Sequence, residues 1–416
     1  MEKGPFDVRK SDVPPLRPVV APIPEAPVRM SATNLPRSLD HLLANAIGNR
    51  ASEVLIEREP GRIRVRQRIR GVLITDLRAP LSPTDMAEIF DYVFKSGEQK
   101  TDEGLRWAGA QLDISFNQVS YTCRFMVSEN KNFGLITVHL TAASEKPFNP
   151  AAWGMGPNQA LLLEGFLSHS HGMVLFCGIE SDDVFSTLQS AAKQLVTPER
   201  HAIAVSAQPQ AWFPGIEPMV SNANPERFLK LLRVAFQHEP DLVVAHPLET
   251  KSQFELCLSE AIRGRLVFAR VYASDISDAL LQIIGMGIEP YLIGSGMMGI
   301  VAQRTLRLNC PKCQDKETVS RDRLKEIGVP IGMQPAAFFN GKGCDDCFKT
   351  GFDRETNIFE VIEMSDDLRN RLGRDVKPEV MRSIMKTGGL MTLRQVALHK
   401  AINGQTSLAE VLRVTT

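Results

Sequence analysis

The stretch GMVLFCGIESDDVFSTLQSAAKQL, Gly172–Leu195, decides the fold. The apolar run after Gly172 reads as a buried strand, and Gly178 opens a short loop. Beyond the loop, Val184, Leu188, Ala191, Ala192 and Leu195 recur at helical spacing, and Thr197-Pro198 ends the pattern. Strand, glycine loop and helix N-terminus together make the frame of a phosphate site, because a helix start offers unpaired amides and a partial positive charge. Yet the loop has no lysine and carries Glu180, Asp182 and Asp183.

Working outward, similar apolar runs follow at 202–205 (AIAV), 242–245 (LVVA) and 266–271 (LVFARV), separated by helical patterns. Continuous apolar strands alternating with helices predict a parallel sheet covered on both faces. Upstream the periodicity changes. SLDHLLANAI predicts an amphipathic helix with Ser38 as N-cap. RIRVRQRIRGVLI alternates strictly, with Ile63, Val65 and Ile69 on one face and Arg64, Arg66, Arg68 and Arg70 on the other. That arginine row suits a solvated face or a subunit contact, or else an anion stripe. QLDISF and SYTCRFMV add strands, so this region reads as a small antiparallel α+β domain. Residues 1–36 are rich in proline and read as an extended arm, able to serve as a linker or to dock in polyproline form.

The whole chain of 416 residues balances 48 Lys and Arg against 48 Asp and Glu, so no global charge argues for nucleic acid or an anionic membrane. No apolar run reaches the roughly 18 residues of a spanning helix, and no apolar leader is visible at the N-terminus. Seven cysteines, four of them in two close pairs, fit a reducing, cytoplasmic setting with a metal site. The pairs are Cys310/Cys313 (CPKC) and Cys344/Cys347 (CDDC), with Pro311, Gly341 and Gly343 supplying tight backbone. Two such knuckles predict one structural zinc with four sulfur ligands, and no histidine or open position points to catalysis. A helix, SRDRLKEIG, is expected between the ligand pairs. Cys123, Cys177 and Cys257 lie in apolar contexts and read as core residues.

These pieces, in order from about Leu39 to Val414, resemble the hexameric traffic ATPases that drive type II secretion and type IV pilus assembly. The resemblance is carried by ASEVLIE (Ala51–Glu57), RIRG (Arg68–Gly71), GIEPYLIGSGMMGIVAQRTLRLNCPKC (Gly287–Cys313), GCDDCFKTGF (Gly343–Phe352), IFEVIEMSDDLR (Ile358–Arg369) and MTLRQVALHKAINGQTSLAEVLRV (Met391–Val414). It implies a PAS-like α+β domain over 37–145, a linker over 146–157 and a RecA-like motor domain of the P-loop NTPase type over 158–305. A four-cysteine zinc module over 306–352 and a helical C-terminal subdomain over 353–416 would follow. GSGMMG (Gly294–Gly299) falls in a helical stretch of that pattern and is expected to serve helix packing.

Against the family pattern, the chain departs at four places. In the phosphate loop only Gly178 survives; Ser181, Asp182 and Asp183 follow, Val184 holds the lysine position, and Phe185 holds that of the magnesium-binding hydroxyl. The acidic box reads Ala207-Gln208-Pro209-Gln210-Ala211. After Glu239-Pro240-Asp241, the catalytic glutamate position holds Pro247, and the histidine box offers Arg265 and Tyr272. Phosphoryl transfer needs cation, metal and amides around the γ-phosphate. A carboxylate within about 5 Å of a phosphate instead costs several kcal/mol at an effective dielectric near 20. Ser181, Asp182 or Asp183 as N-cap would satisfy the helix start from within, at roughly 0.5–2 kcal/mol.

The expectation is therefore a catalytically inactive paralogue, with no catalytic residue and with ATP and magnesium absent or weakly held. It would act as a structural or regulatory subunit beside an active traffic ATPase, the inner-membrane platform or its adaptor, in a hexameric ring at the cytoplasmic face. The alternative is a divergent ATPase in which Arg265 and Arg270 replace part of the lost charge. A nucleic-acid module using the arginine strand and the knuckles fits the neutral chain less well.

Overall fold

The computed structural model describes residues 28–29, 35–59, 62–75, 80–97, 99–102, 104–142, 147–179, 181–208, 212–320, 324, 327, 337–372 and 391–415. The proline-rich arm lies outside them, apart from β1 (Val28–Arg29).

The N-terminal part is one helix-covered sheet. Helix α1 (Arg37–Gly48) buries Leu39, Leu42, Leu43, Ala46 and Ile47, the apolar stripe of an amphipathic helix. It starts at Arg37 with Pro36 in the capping position, not at a Ser38 cap, because Pro36 already ends the preceding extended chain. The strands are β2 (Ala51–Glu59), β3 (Arg62–Ile69), β4 (Val72–Thr75), β5 (Lys100–Asp102), β6 (Leu105–Phe116), β7 (Val119–Glu129) and β8 (Gly134–Ala142), with α2 (Pro83–Ser96) between β4 and β5. Ser82 and Asp85 form a capping box at the start of α2. The sheet order is β1-β6-β7-β8-β2-β3-β4, with β5 on β6, and every pairing is antiparallel except β1 on β6. The helices bury Met86, Ile89, Phe90 and Val93 against Val54, Ile56, Val65, Phe125, Val127 and Ile136.

The arginine row of β3 is occupied within the chain. Arg66 grips Glu57 through two bonds of 2.7 and 2.6 Å, Arg68 meets Glu53 at 2.6 Å, and Arg64 and Arg62 share Glu59. The row is thus a ladder of cross-strand ion pairs, which leaves those arginines committed to their neighbouring strand.

The stretch read as a linker is packed. Asn149 caps a single turn, α3 (Pro150–Trp153), and Trp153 is buried with its indole donating to the Pro147 carbonyl at 3.1 Å. Gly154, at φ +109°, passes so close to the Asn357 carbonyl that a side chain would collide with it. Helix α4 (Pro157–Leu167) then leads into the second sheet.

That sheet contains β9 (Gly172–Cys177), β10 (Ala202–Ser206), β11 (Ile216–Val220), β12 (Leu242–His246), β13 (Leu266–Val271), β14 (Met297–Asn309) and β17 (Phe352–Glu363). The small hairpin of β15 (Gln314–Glu317) and β16 (Phe338–Gly341) stands apart. The order is β11-β10-β12-β13-β9-β14-β17, parallel throughout except for β17 against β14. Helix α5 (Ser181–Lys193) covers one face with α4. The other face is covered by α6 (Pro225–Gln237), α7 (Lys251–Ile262), α8 (Ile276–Gly285) and α9 (Pro290–Gly296). Alongside them lie α10 (Asp366–Leu372), α11 (Leu393–Ile402) and α12 (Leu408–Thr415). Strands β9, β10, β12 and β13 are buried along their whole length, as their unbroken apolar runs require.

Two expectations need correction. Residues 353–363, read as part of a helical subdomain, are an edge strand of the second sheet, because Ile358, Phe359, Val361 and Ile362 bury both faces of that chain. GSGMMG is only half helical: α9 ends at Gly296, and Met297–Gly299 begin β14. Its glycines still serve packing, since a Cβ on Gly296 would meet the Leu258 carbonyl and one on Gly299 the Phe166 ring. Of the helix expected between the cysteine pairs, Leu324 and Ile327 are described; both are helical and buried.

Candidate functional sites: a filled phosphate loop and a cysteine cluster

The carboxyl ends of parallel strands are where open α/β sheets bind ligands. Gly178 follows β9, Gln208 follows β10, Pro247 follows β12 and Tyr272 follows β13, so these four predicted site residues do converge on one edge of the sheet. Arg265 does not. It precedes β13 and lies 3.8 Å from Glu239 at the opposite end of the strands, about 20 Å from Tyr272 along six residues of strand. The basic residue at the loop's edge is Arg270, fully buried, with its guanidinium 4.3 Å from the Tyr272 ring centre. The pairing of β12 with β13 ends at Ala245 and Ala269, one residue before His246 and Arg270.

The loop frame is intact and its interior is occupied by side chains. Val184 turns inward and is 1% exposed; a Cβ on Gly178 would stand 2.5 Å from its methyl group. Phe185, 8% exposed, packs edge-on to Trp212 at 5.2 Å and tilted over His246 at 4.4 Å between ring centres. His246 is buried, and its Nδ1 has no hydrogen-bond partner among the described residues. Burial first, then the nearby Arg270 and Arg124, hold its pKa well below the ordinary value, so it is neutral. Trp212 and His246 carry no motif that sequence reading could have flagged; their meeting over Phe185 is a long-range event.

The acids of the loop are placed differently from an N-cap. Helix α5 already begins at Ser181, so Ser181, Asp182 and Asp183 occupy its first turn; Glu180 and the side chains of Ser181 and Asp182 lie outside the described residues. The Asp183 carboxylate accepts a hydrogen bond from the Thr305 hydroxyl of β14, and Thr305 also faces the Asn357 carbonyl oxygen Oδ1 at 3.2 Å. Of the former acidic box, 209–211 lie outside the described residues, while Gln208 accepts a hydrogen bond from Arg124 of β7 at 2.8 Å. The N-terminal sheet therefore reaches this edge directly.

A second constellation lies at the far end of β14. The Sγ atoms of Cys310, Cys313, Cys344 and Cys347 are all within 4.8 Å of one another. Cys310–Cys344, Cys313–Cys347 and Cys344–Cys347 are separated by 3.9, 3.8 and 3.7 Å. A sulfur tetrahedron around an ion with bonds of about 2.3 Å has edges of about 3.8 Å, so the spacing fits a bound metal. Backbone amides point at two of the sulfurs: those of Cys344 and Gly351 at Cys347 at 3.1 and 3.3 Å, and that of Gly343 at Cys313 at 3.3 Å, although burial still pushes the Cys313 thiol up to about 12. Against the upward push of burial, those amides bring the Cys347 thiol down to about 7. Glycines 341 and 351 cross so closely that a Cβ on Gly341 would lie 1.9 Å from the Gly351 carbonyl. The other cysteines are core residues: burial drives Cys123 up to about 12 and Cys177 and Cys257 above their ordinary value.

A family model described as type II/IV secretion system protein matches residues 29–413. The chain belongs to this family, that of the traffic ATPases of secretion and pilus systems. It is 25% identical over 387 residues to type II secretion system protein E of Pseudomonas aeruginosa, spanning 91% of this chain and 75% of that one. It is 27% identical over 266 residues to the type IV pilus assembly ATPase PilB of Thermus thermophilus, 63% of this chain and 30% of the relative. The fold resembles that of the Legionella pneumophila ATPase DotB, with a TM-score of 0.64, 14% identity, and 94% and 98% of the two chains covered. The pilus retraction motor PilT with bound ADP gives a TM-score of 0.59 at 16% identity, over 90% and 96% of the chains. Among the described residues no helix is long and apolar enough to cross a membrane.

Proposed function

We propose that this traffic-ATPase family member is catalytically inactive and serves as a structural or regulatory subunit of a cytoplasmic secretion or pilus motor. The observation that carries the reading is Phe185 packed between Trp212 and His246, where the family pattern places a magnesium-binding hydroxyl. Beside it, Val184 fills the space under Gly178 instead of reaching outward as a charged lysine. A phosphate entering this loop would meet apolar side chains and the carboxylate of Asp183, and neither Val184 nor Phe185 can ligate magnesium. The partners of such a subunit are an active paralogue in a shared, hexameric ring and the inner-membrane platform or its adaptor, with the subunit peripheral to that membrane. In the same reading the N-terminal sheet corresponds to the PAS-like domain of the family. The cysteine cluster holds structural zinc, fixing the β14–β17 end of the sheet.

Calorimetric titration of the full chain with ATP and magnesium tests the first claim, with Phe185→Ser/Val184→Lys as the restored comparison. The expected outcome is no measurable heat for the natural chain and no release of ADP. Saturable binding by the natural chain in the micromolar range would overturn the proposal.

A further inference from the structure

The cysteine cluster has a neighbour that its own geometry does not require. Directly after Cys347, Phe348 and Lys349 adopt φ of +53° and +63°, a left-handed conformation costly for residues with side chains. This turn is wound around the cluster: the Lys349 amide returns to the Cys344 carbonyl at 2.8 Å, that of Thr350 to Cys347 at 3.0 Å, and that of Gly351 to the Cys347 sulfur. The effect is to turn Phe348, which is half-buried, against the hydrophobic core of the N-terminal sheet.

Four residues later the same segment is gripped again. Arg70, at the β3–β4 turn, donates to the Phe352 carbonyl at 2.6 Å and lies 3.7 Å from the Asp353 carboxylate. Arg307 of β14 stacks on the Phe352 ring at 4.3 Å and reaches the Arg70 carbonyl at 3.5 Å. Its guanidinium is anchored by the buried Glu410 of α12, which also accepts two bonds of 2.7 Å from Arg413. The segment 344–353 therefore touches the N-terminal sheet at its aromatic and again at its backbone, with the metal-fitting cluster between.

We propose that metal occupancy of the four cysteines sets how the N-terminal sheet is docked on the motor sheet, with Phe348 and the Arg70–Phe352 bond as the contacts through which it acts. This rests on the metal reading of the cluster and is independent of whether the chain hydrolyses ATP. An ion drawing the four sulfurs together holds the strained turn; when it is lost, nothing holds the sulfurs in place, and the left-handed residues relax toward ordinary backbone. Phe348 then leaves its seat, and Arg70 loses a fixed acceptor.

The test compares the full chain as purified, the same chain after a strong chelator, and the metal-replete Phe348→Ala variant. Metal content is measured by atomic absorption and docking by amide hydrogen exchange. The expected result is one zinc per chain and exchange at the Arg70–Gly71 turn about tenfold faster both after chelation and in Phe348→Ala, with the β9, β12 and β13 amides unchanged in the Phe348→Ala variant. Unaltered exchange at that turn in the metal-free chain would overturn the proposal, as would its absence in Phe348→Ala at full metal content. If chelation unfolds the whole chain, the metal holds the fold as a whole and not the docking of one sheet, and the proposal is overturned. A chain that binds neither zinc nor cobalt under reducing conditions overturns the metal reading as well, and the metal analysis shows which of the two has failed.

Discussion

The loop after β9 and the loop before β17 are both tight glycine turns at the end of a motor-sheet strand, and they have been filled in opposite ways. At the cysteine cluster the reactive side chains are kept and the backbone is bent to serve them, with Gly341, Gly343 and Gly351 in places no other residue fits. At the loop after β9 no backbone is strained to serve a ligand, and Val184 and Phe185 point into the core. A site meant to hold an ion spends backbone strain on its ligands. A frame kept for packing closes on itself with carbon.

The largest effect that would break this contrast is metal removal. Structural zinc contributes of the order of 10 kcal/mol to folding in small peptide modules. Here, chelation or Cys347→Ser should lower the denaturation midpoint of the full chain by the largest amount of any change considered. Denaturant titration with and without chelator measures it. An unchanged midpoint would mean that the cluster is four packed thiols and that both loops are packing devices.

Next comes the residue that closes the other loop. Phe185→Ala should destabilise the chain by about 3–5 kcal/mol, the usual cost of emptying a buried aromatic site. The loss should be strongly non-additive with Trp212→Ala, because the two rings share one contact. Thermal scans of both single variants and the double variant give the coupling. A neutral Phe185→Ala would indicate an open site after all.

Sequence pattern reached one of these sites further than the other, for a physical reason. Cysteine pairs announce themselves locally, two per knuckle at fixed spacing, so the cluster of Cys310, Cys313, Cys344 and Cys347 could be named before any fold was known. The strands were as plain, since β9, β10, β12 and β13 are unbroken apolar runs. What fills the loop is not local. Trp212 follows β10 and His246 ends β12, and only the parallel order β10-β12-β13-β9 brings them over Phe185. Arg265 was misplaced for the converse reason: it is near Tyr272 in sequence, and a strand of six residues carries it to the other edge of the sheet. Likewise, the strand at 353–363 was hidden behind the helices that follow it.

His246 offers a smaller, pH-dependent handle on the filled loop. Burial, followed by Arg270 and Arg124, lowers its pKa well below the 6.5 of the unfolded chain. The unfolded state then binds a proton that the folded state refuses. Stability linked to this residue is complete above pH 6.5 and falls as the pH drops below it, by up to about 1.4 kcal/mol per pH unit. Denaturant titrations between pH 7 and 5 should show that slope, and His246→Phe should flatten it. An equal slope in the variant would assign the titration to another group and leave His246 accessible to water.

The smallest expected effect concerns the acid retained in the loop. Asp183 sits in the first turn of α5, where its charge faces the positive end of the helix and its carboxylate accepts from Thr305. Asp183→Ala removes both interactions and should cost about 1–2 kcal/mol, whereas Asp183→Asn keeps the acceptor and should lose only about 0.5 kcal/mol. The difference between the two variants isolates the hydrogen bond that ties α5 to β14, and added salt should shrink both penalties by the same charge part while leaving that difference unchanged. If both variants match the natural chain, the acid contributes nothing to the fold. Its presence would then have to be explained by something it repels, and the loop would count as a guarded opening instead of a closed frame.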